Sequence, residues 1–314
     1  MAAAIALSRR GRPASTPNPN VGCLIVKDGI VTARGWTRPG GRPHAEAMAL
    51  MAAGGAARGA TAYVTLEPCA HASPRGPACS DALIGAGITR VVIAAQDPDP
   101  RTDGKGIARL QEAGIEVVFN MLAAEARAAM APWWMRRARG RPFVTLKLAT
   151  SLDGCIARAD GSSRWITGAR ARAHGHLERA QHQAILVGRA TLEADAPKLD
   201  VRLPGLADRS PVKLLLTRGT APEGWTAVAS PQAIADVDSL LVEGGAGAAS
   251  AFLAADRVDR LLLYRAPILI GGGKPALGDI GLADLADAHG RWRLQDSRLL
   301  GSDRLDVYER AREG

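Results

Sequence analysis

Short β-branched runs alternate with helical segments along the whole chain, and this alternation confines the fold to the α/β class. Residues 21–26 read as a strand that turns at Asp28-Gly29 into a second strand over 30–35. A helix over 43–53 stops at Gly54-Gly55, and a strand over 61–66 follows. A helix over 80–86, a strand over 90–95, a helix over 106–113 and a strand over 115–119 complete the first half. The pattern predicts a mostly parallel sheet with helices on its faces. A further helix over 122–135 runs into Arg136-Arg137-Ala138-Arg139-Gly140-Arg141-Pro142, a charged stretch closed by Gly and Pro. We place the domain junction there, giving domains 1–139 and 140–314, which suits a chain longer than the ~250–300 residues at which single cores stop growing. The second half restarts with strand 143–149. Strands over 184–187, 212–217, 239–242, 260–264 and 305–308 and helices over 169–179 and 248–255 make it a second α/β domain. Strand-like and helix-like segments follow one another without an internal repeat.

Composition excludes few functions. The formal charge is +9, but 34 of the 40 basic residues are Arg, and the excess falls from +7 in residues 1–140 to +2 in the remainder. Arg also suits small phosphorylated ligands, which it grips bidentately, so the charge does not require nucleic acid. No stretch approaches the roughly 18 apolar residues of a membrane span. The apolar start MAAAIALSRRG precedes its charges and so is a poor export signal, and the expected compartment is the cytoplasm. In such a compartment the four cysteines are better read as ligands or core residues than as disulfides.

The ordered set His44-Ala45-Glu46, Glu67-Pro68-Cys69 and Cys79 carries chemistry. One imidazole and two thiolates are three ligands for Zn²⁺, the catalytic count, whereas a structural site normally closes with a fourth. Glu46, two residues from His44, stands beside the metal without joining it and can move a proton. A lone Cys or His is most simply a core residue or a helix cap. Three in order at element ends are better read as ligands, and Cys23 and Cys155 as packing residues. The nucleobase-deaminase pattern H-x-E with P-C-x-x-C is met in part, since nine residues separate Cys69 from Cys79 instead of two.

Around these ligands the chain resembles the bifunctional deaminase-reductase family of riboflavin biosynthesis. The matching stretches are Thr16-Pro17-Asn18-Pro19-Asn20-Val21-Gly22, His44-Ala45-Glu46, Glu67-Pro68-Cys69-Ala70-His71, and Gln96-Asp97-Pro98-Asp99-Pro100 with Gly104-Lys105-Gly106. The second half carries 142–149 (PFVTLKLA), Ser151-Leu152-Asp153-Gly154, 163–168 (SRWITG), Ile185-Leu186-Val187-Gly188 and Glu243-Gly244-Gly245-Ala246-Gly247. The resemblance implies a cytidine-deaminase-like three-layer domain followed by a dihydrofolate-reductase-like domain. It implies zinc-dependent deamination of 2,5-diamino-6-(5-phosphoribosylamino)pyrimidin-4-one, then NADPH-dependent reduction of 5-amino-6-(5-phosphoribosylamino)uracil to its ribityl form. Carried over residue by residue, Glu46 is catalytic and His44, Cys69 and Cys79 hold zinc. Asn18 and His71 line the deaminase pocket. Ala149, Trp165, Thr191, Asp195 and the loop Gly245, Ala246, Gly247, Ala248, Ala249, Ser250 and Ala251 contact NADPH. Lys147, Ser163, Arg179, Leu199, Arg202 and Glu243 hold the substrate of the second step.

The loop before Cys79, Ala72-Ser73-Pro74-Arg75-Gly76-Pro77-Ala78, is one residue longer than is usual in the family, and Asp99 stands where Asn is usual. The expected partner is a phosphorylated pyrimidine, with neither nucleic acid nor membrane, and a homo-oligomer stays open. Two other readings are a nucleic-acid deaminase and a zinc-stabilised binding module. The first wants aromatic stacking groups, but only 4% of the chain is aromatic. The second wants a fourth protein ligand and has no use for Glu46.

Overall fold

Two glycines on neighbouring strands set the layering of the first half. Strand β1 (Gly22–Lys27) pairs antiparallel with β2 (Ile30–Trp36), Gly22 opposite Trp36 and Cys23 opposite Gly35. Gly22 and Gly35 therefore face opposite sides of the pleat. A Cβ on Gly22 would collide with the Ala4 carbonyl of helix α1 (Ala2–Ser8), and one on Gly35 with the Ala45 carbonyl of α2 (Ala45–Ala53). Each helix lies backbone-close on its own face, which makes three layers.

In the computed structural model, which describes residues 1–71 and 73–312, the chain divides into two compact units, Met1–Trp134 and Met135–Gly314. In the first, β3 (Thr61–Leu66), β4 (Arg90–Ala95) and β5 (Glu116–Val118) complete a sheet of order β2-β1-β3-β4-β5. Helices α3 (Cys79–Gly85) and α4 (Lys105–Glu112) extend the α2 layer, and α5 (Ala123–Ala129) joins α1. Ile25, Val64, Leu83, Ile93, Leu110 and Met130 fill the core between layers.

The expectation of a mostly parallel sheet holds for four strands of five: β2, β3, β4 and β5 point the same way, and β1 alone is antiparallel to both of its neighbours. The cause is local: Asp28 and Gly29 both adopt positive φ, a two-residue turn that can join only antiparallel strands. The single helix expected over 122–135 is also two, α5 and α6 (Ala131–Arg139). Pro132 has no N–H for the preceding turn, so a new helix starts there.

The second unit is built on an eight-stranded sheet of order β10-β9-β8-β11-β6-β12-β15-β14. Its strands are β6 (Phe143–Thr150), β8 (Ala184–Gly188), β9 (Val212–Leu216), β10 (Trp225–Val228), β11 (Ser239–Val242), β12 (Arg260–Arg265), β14 (Trp292–Leu300) and β15 (Asp303–Arg310). A short pair, β7 (Cys155–Ala157) with β13 (Lys274–Pro275), stands apart. From β10 to β12 every pairing is parallel, and β15 and β14 close the edge antiparallel. Helices α7 (Ala169–Arg179), α8 (Arg189–Asp195) and α9 (Ala246–Ala254) serve this sheet. The sequence pattern missed α1, α8, β7, β10, β13 and β14. β14 is an edge strand with mostly exposed side chains, so it has no apolar alternation to find. Among the described residues no helix is long and apolar enough to cross a membrane.

Candidate active sites

Three element ends bring the first site together. His44 is the N-cap of α2, Cys79 is the first residue of α3, and Cys69 follows the end of β3. The His44 Nδ1 atom lies 3.3 Å from Cys79 Sγ and 3.7 Å from Cys69 Sγ. All three ligand atoms fall within 4.8 Å of one another. The Cys79 N–H donates to Cys69 Sγ at 3.2 Å. The Cys79 thiol also donates to that sulfur, which draws the Cys69 thiol down to about 4. The shared proton then stays on Cys79, whose thiol is pushed up by that bond and by burial. A metal removes this second proton as well, because a coordinating thiol is deprotonated outright. One imidazole and two sulfurs at this spacing are a donor set that fits Zn²⁺.

Glu46 sits on the first turn of α2, buried against the same cluster. Burial pushes its carboxyl up to about 7, against the downward pull of His44. A group that both holds and releases a proton near neutrality suits general acid-base work. The Asn18 amide nitrogen stands 3.0 Å from His44 Nε2 and donates to the Gly41 carbonyl at 2.9 Å, so it orients the ring from behind. Asn18 reaches the site through His44. His71 is half-buried, its Nδ1 3.4 Å from Thr102 Oγ1. Of the atypical loop, Ala72 lies outside the described residues, while Ser73 and Gly76 close a tight turn by reciprocal backbone bonds.

The second unit encloses a cavity of about 1090 Å³. Lys147, Ala149, Ser163, Trp165, Arg179, Thr191, Asp195, Arg202, Glu243 and residues 245–248 all line it. Glu243, half-buried where β11 ends, accepts hydrogen bonds from two Arg179 nitrogens, Nε at 2.8 Å and Nη2 at 2.9 Å, with Lys147 Nζ at 3.8 Å. Burial alone would raise its carboxyl, but the charge of Lys147 and the bonds from Arg179 hold it down to about 2. Thr191 Oγ1 accepts the Gly245 N–H at 2.9 Å and ties α8 to the glycine loop. A Cβ on Gly244 would meet Ala248 Cβ at 2.5 Å, so the loop packs tightly on the start of α9. Trp165 is exposed, with the Arg172 guanidinium 4.7 Å from its ring centroid.

Four of the expected residues stand off the cavity wall. Leu199 packs into a core cluster with Ile185, Val187, Leu215 and Leu241. Ala249 is buried on the sheet side of α9, Ser250 accepts the Gly278 N–H at 2.8 Å, and Ala251 belongs to the same helix turn. Conversely, His176, Arg189, Tyr264 and Lys274 line the cavity and were not expected. Helical spacing held the signal for His176, because Arg172, His176 and Arg179 recur at i, i+4 and i+7. Tyr264 was hidden by register: it pairs with Ala149 across β12 and β6. Its hydroxyl stands 2.7 Å from His174 Nδ1, and burial pushes its pKa well above that of an ordinary phenol.

Known proteins share both halves. Residues 1–95 match the cytidine and deoxycytidylate deaminase zinc-binding region, and residues 142–234 and 232–305 match the RibD C-terminal domain. The riboflavin biosynthesis protein RibD of Escherichia coli is 39% identical over 96% of this chain and 96% of its own. That of Mycobacterium tuberculosis is 39% identical over 97% and 95%. Among solved structures, a diaminohydroxyphosphoribosylaminopyrimidine deaminase/5-amino-6-(5-phosphoribosylamino)uracil reductase of Thermotoga maritima superposes with a TM-score of 0.89 at 32% identity, covering 99% of this chain and 97% of its own. Acinetobacter baumannii RibD superposes at 0.86 with 34% identity, covering 99% and 98%.

Proposed function

The chain belongs to the RibD family of riboflavin-biosynthesis enzymes, and from that premise we propose how its two sites divide the work. The protein is a zinc-dependent deaminase joined to an NADPH-dependent reductase. In our reading residues 1–139 carry the hydrolytic deamination of 2,5-diamino-6-(5-phosphoribosylamino)pyrimidin-4-one. Residues 140–314 carry the reduction of 5-amino-6-(5-phosphoribosylamino)uracil to the ribityl compound.

One observation carries the first assignment: His44, Cys69 and Cys79 converge on one point, and the buried Glu46 stands beside them outside the ligand set. Zinc held by those three supplies the Lewis acidity that makes water nucleophilic near neutral pH. Glu46 takes the proton from the attacking water and passes it to the departing ammonia, which its raised affinity for protons allows. Asn18 keeps the His44 ring in place, and His71 faces the ribose-phosphate end of the substrate.

In the second site NADPH supplies the hydride. The backbone N–H groups of 246–248, at the start of α9, are offered to its phosphates. Thr191 fixes that loop, while Ala149, Trp165 and Asp195 contribute wall. Arg179 and Glu243 hold each other in position, so the substrate meets a preset ion pair with Lys147 at its edge. Ser163 and Arg202 complete the substrate side.

Purified zinc-loaded protein given the diaminopyrimidinone phosphate, with and without NADPH, tests both halves at once. Ammonia release and NADPH oxidation are followed separately. We expect ammonia in both samples and oxidation only where the deaminated intermediate forms. A zinc-loaded sample that releases no ammonia sinks the first assignment. Failure to oxidise NADPH on supplied intermediate sinks the second.

A further inference from the structure

The Glu-Pro-Cys motif contains a carboxylate for which the metal chemistry has no task. Glu67 follows β3, two residues before Cys69, and is buried. Four backbone amides converge on it. Its Oε1 accepts the N–H of Gly106 at 2.9 Å and of Ile107 at 3.2 Å. Its Oε2 accepts those of Gly104 at 3.0 Å and Asp97 at 3.3 Å. Two carboxylate oxygens offer about four lone-pair directions, and all four are taken. Charge-assisted bonds of this kind offset the cost of burying the charge.

The clamped segment, residues 97–107, returns to the metal site. A Cβ on Gly106 would fall on the Pro68 carbonyl, so the two backbones touch where only glycine fits. Within the segment the Asp99 carbonyl accepts the N–H of Thr102 at 2.7 Å and of Asp103 at 2.9 Å, and the Asp99 carboxylate holds Arg101 at 2.6 Å. This tight turn fixes the fully buried Thr102, whose Oγ1 lies 3.4 Å from His71 Nδ1. His71 is two residues beyond Cys69. Carboxylate, turn, hydroxyl and imidazole form a circuit that leaves the chain at Glu67 and re-enters it at His71.

We propose that Glu67 is a positioning residue of the deamination site: its carboxylate sets residues 97–107 against the end of β3, and Thr102 in turn sets His71. The inference rests on the reading of His71 as a substrate contact. It assigns Glu67 to substrate placement and not to metal retention, since none of its four partners is a metal ligand.

Glu67→Gln preserves shape but turns one acceptor oxygen into a donor facing two N–H groups. In the zinc-loaded protein we expect KM for the diaminopyrimidinone phosphate to rise on the order of 10–100-fold, the usual cost of leaving a buried hydrogen-bonding group mispaired. The change in kcat should be smaller. Zinc affinity, read by chelator competition on the protein without substrate, should stay within about threefold, well short of that cost. NADPH oxidation on supplied intermediate should keep its wild-type rate, which reports an intact second unit. Thr102→Val tests the same circuit without touching the carboxylate. It should raise KM in the same direction and add little in the Glu67→Gln background, because residues acting in series are not additive. Wild-type KM in Thr102→Val overturns the proposal. So does a Glu67→Gln protein that loses zinc affinity as much as it loses substrate affinity. If Glu67→Gln does not fold, Thr102→Val alone decides. Wild-type protein that releases no ammonia refutes the functional reading instead, so the two failures are distinguishable.

Discussion

The two sites of this protein are built in opposite ways. In the first unit, three ligand atoms at the ends of β3, α2 and α3 lie within 4.8 Å of one another, with the buried Glu46 on the first turn of α2. In the second, a cavity of about 1090 Å³ draws its wall from strands, helices and loops spread over residues 147–275. The metal site depends on donor atoms, so each residue is irreplaceable in kind. The cavity depends on shape and on preset charge, so most of its wall residues contribute backbone or surface. A change at the first site should therefore act on one reaction and act hard, whereas changes at the second should be graded.

The largest expected effect breaks the comparison if it fails. Glu46→Gln should cut ammonia release about 10²–10⁴-fold, the usual contribution of a general acid-base group. Zinc content by elemental analysis and NADPH oxidation on supplied intermediate should both be unchanged. Equal loss of both activities would mean that the sites are not separate machines.

A middle-sized effect concerns acid. Glu243 has its proton affinity lowered in the folded protein, from the ordinary 4.5 to about 2. Its stabilisation is therefore complete above pH 4.5 and disappears as pH falls through 2. At 1.36 kcal/mol per pK unit this amounts to about 3 kcal/mol. Urea unfolding of the second unit, followed by hydrogen exchange of β11 amides, should show the stability gap between wild type and Glu243→Gln closing over that window. A gap that stays constant from pH 4.5 to 2 would remove the preset ion pair from the account of the cavity.

The smallest effect sharpens the comparison. Thr191→Val keeps the volume but leaves the Gly245 N–H without its acceptor, which costs about 1–3 kcal/mol. The loss should appear as weaker NADPH binding by fluorescence titration, with ammonia release untouched. An unchanged NADPH Kd would show that the loop is held by the packing of Gly244 on Ala248 alone.

Legibility followed the same division. His44, Glu46, Cys69 and Cys79 could be read because metal chemistry restricts residue type and order, and the helix starts that carry them have their own signals. Leu199 shows the opposite case. Placed on the substrate side by resemblance, it packs its side chain among Ile185, Val187 and Leu215, a burial that no local pattern announces. Glu67 stands out in the sequence only as part of a motif, because backbone amides some thirty to forty residues further on are invisible to a pattern of side chains.

From its residues alone the chain declared two α/β domains, the metal ligands with their carboxylate, and the family resemblance. Each of these rests on local periodicity or on residue identity. Folding decided that β1 pairs with β3 as well as with β2, that β14 forms an edge, and which residues line the cavity of the second unit. Those outcomes depend on contacts between segments far apart in the chain, where register and backbone approach count for more than side-chain type.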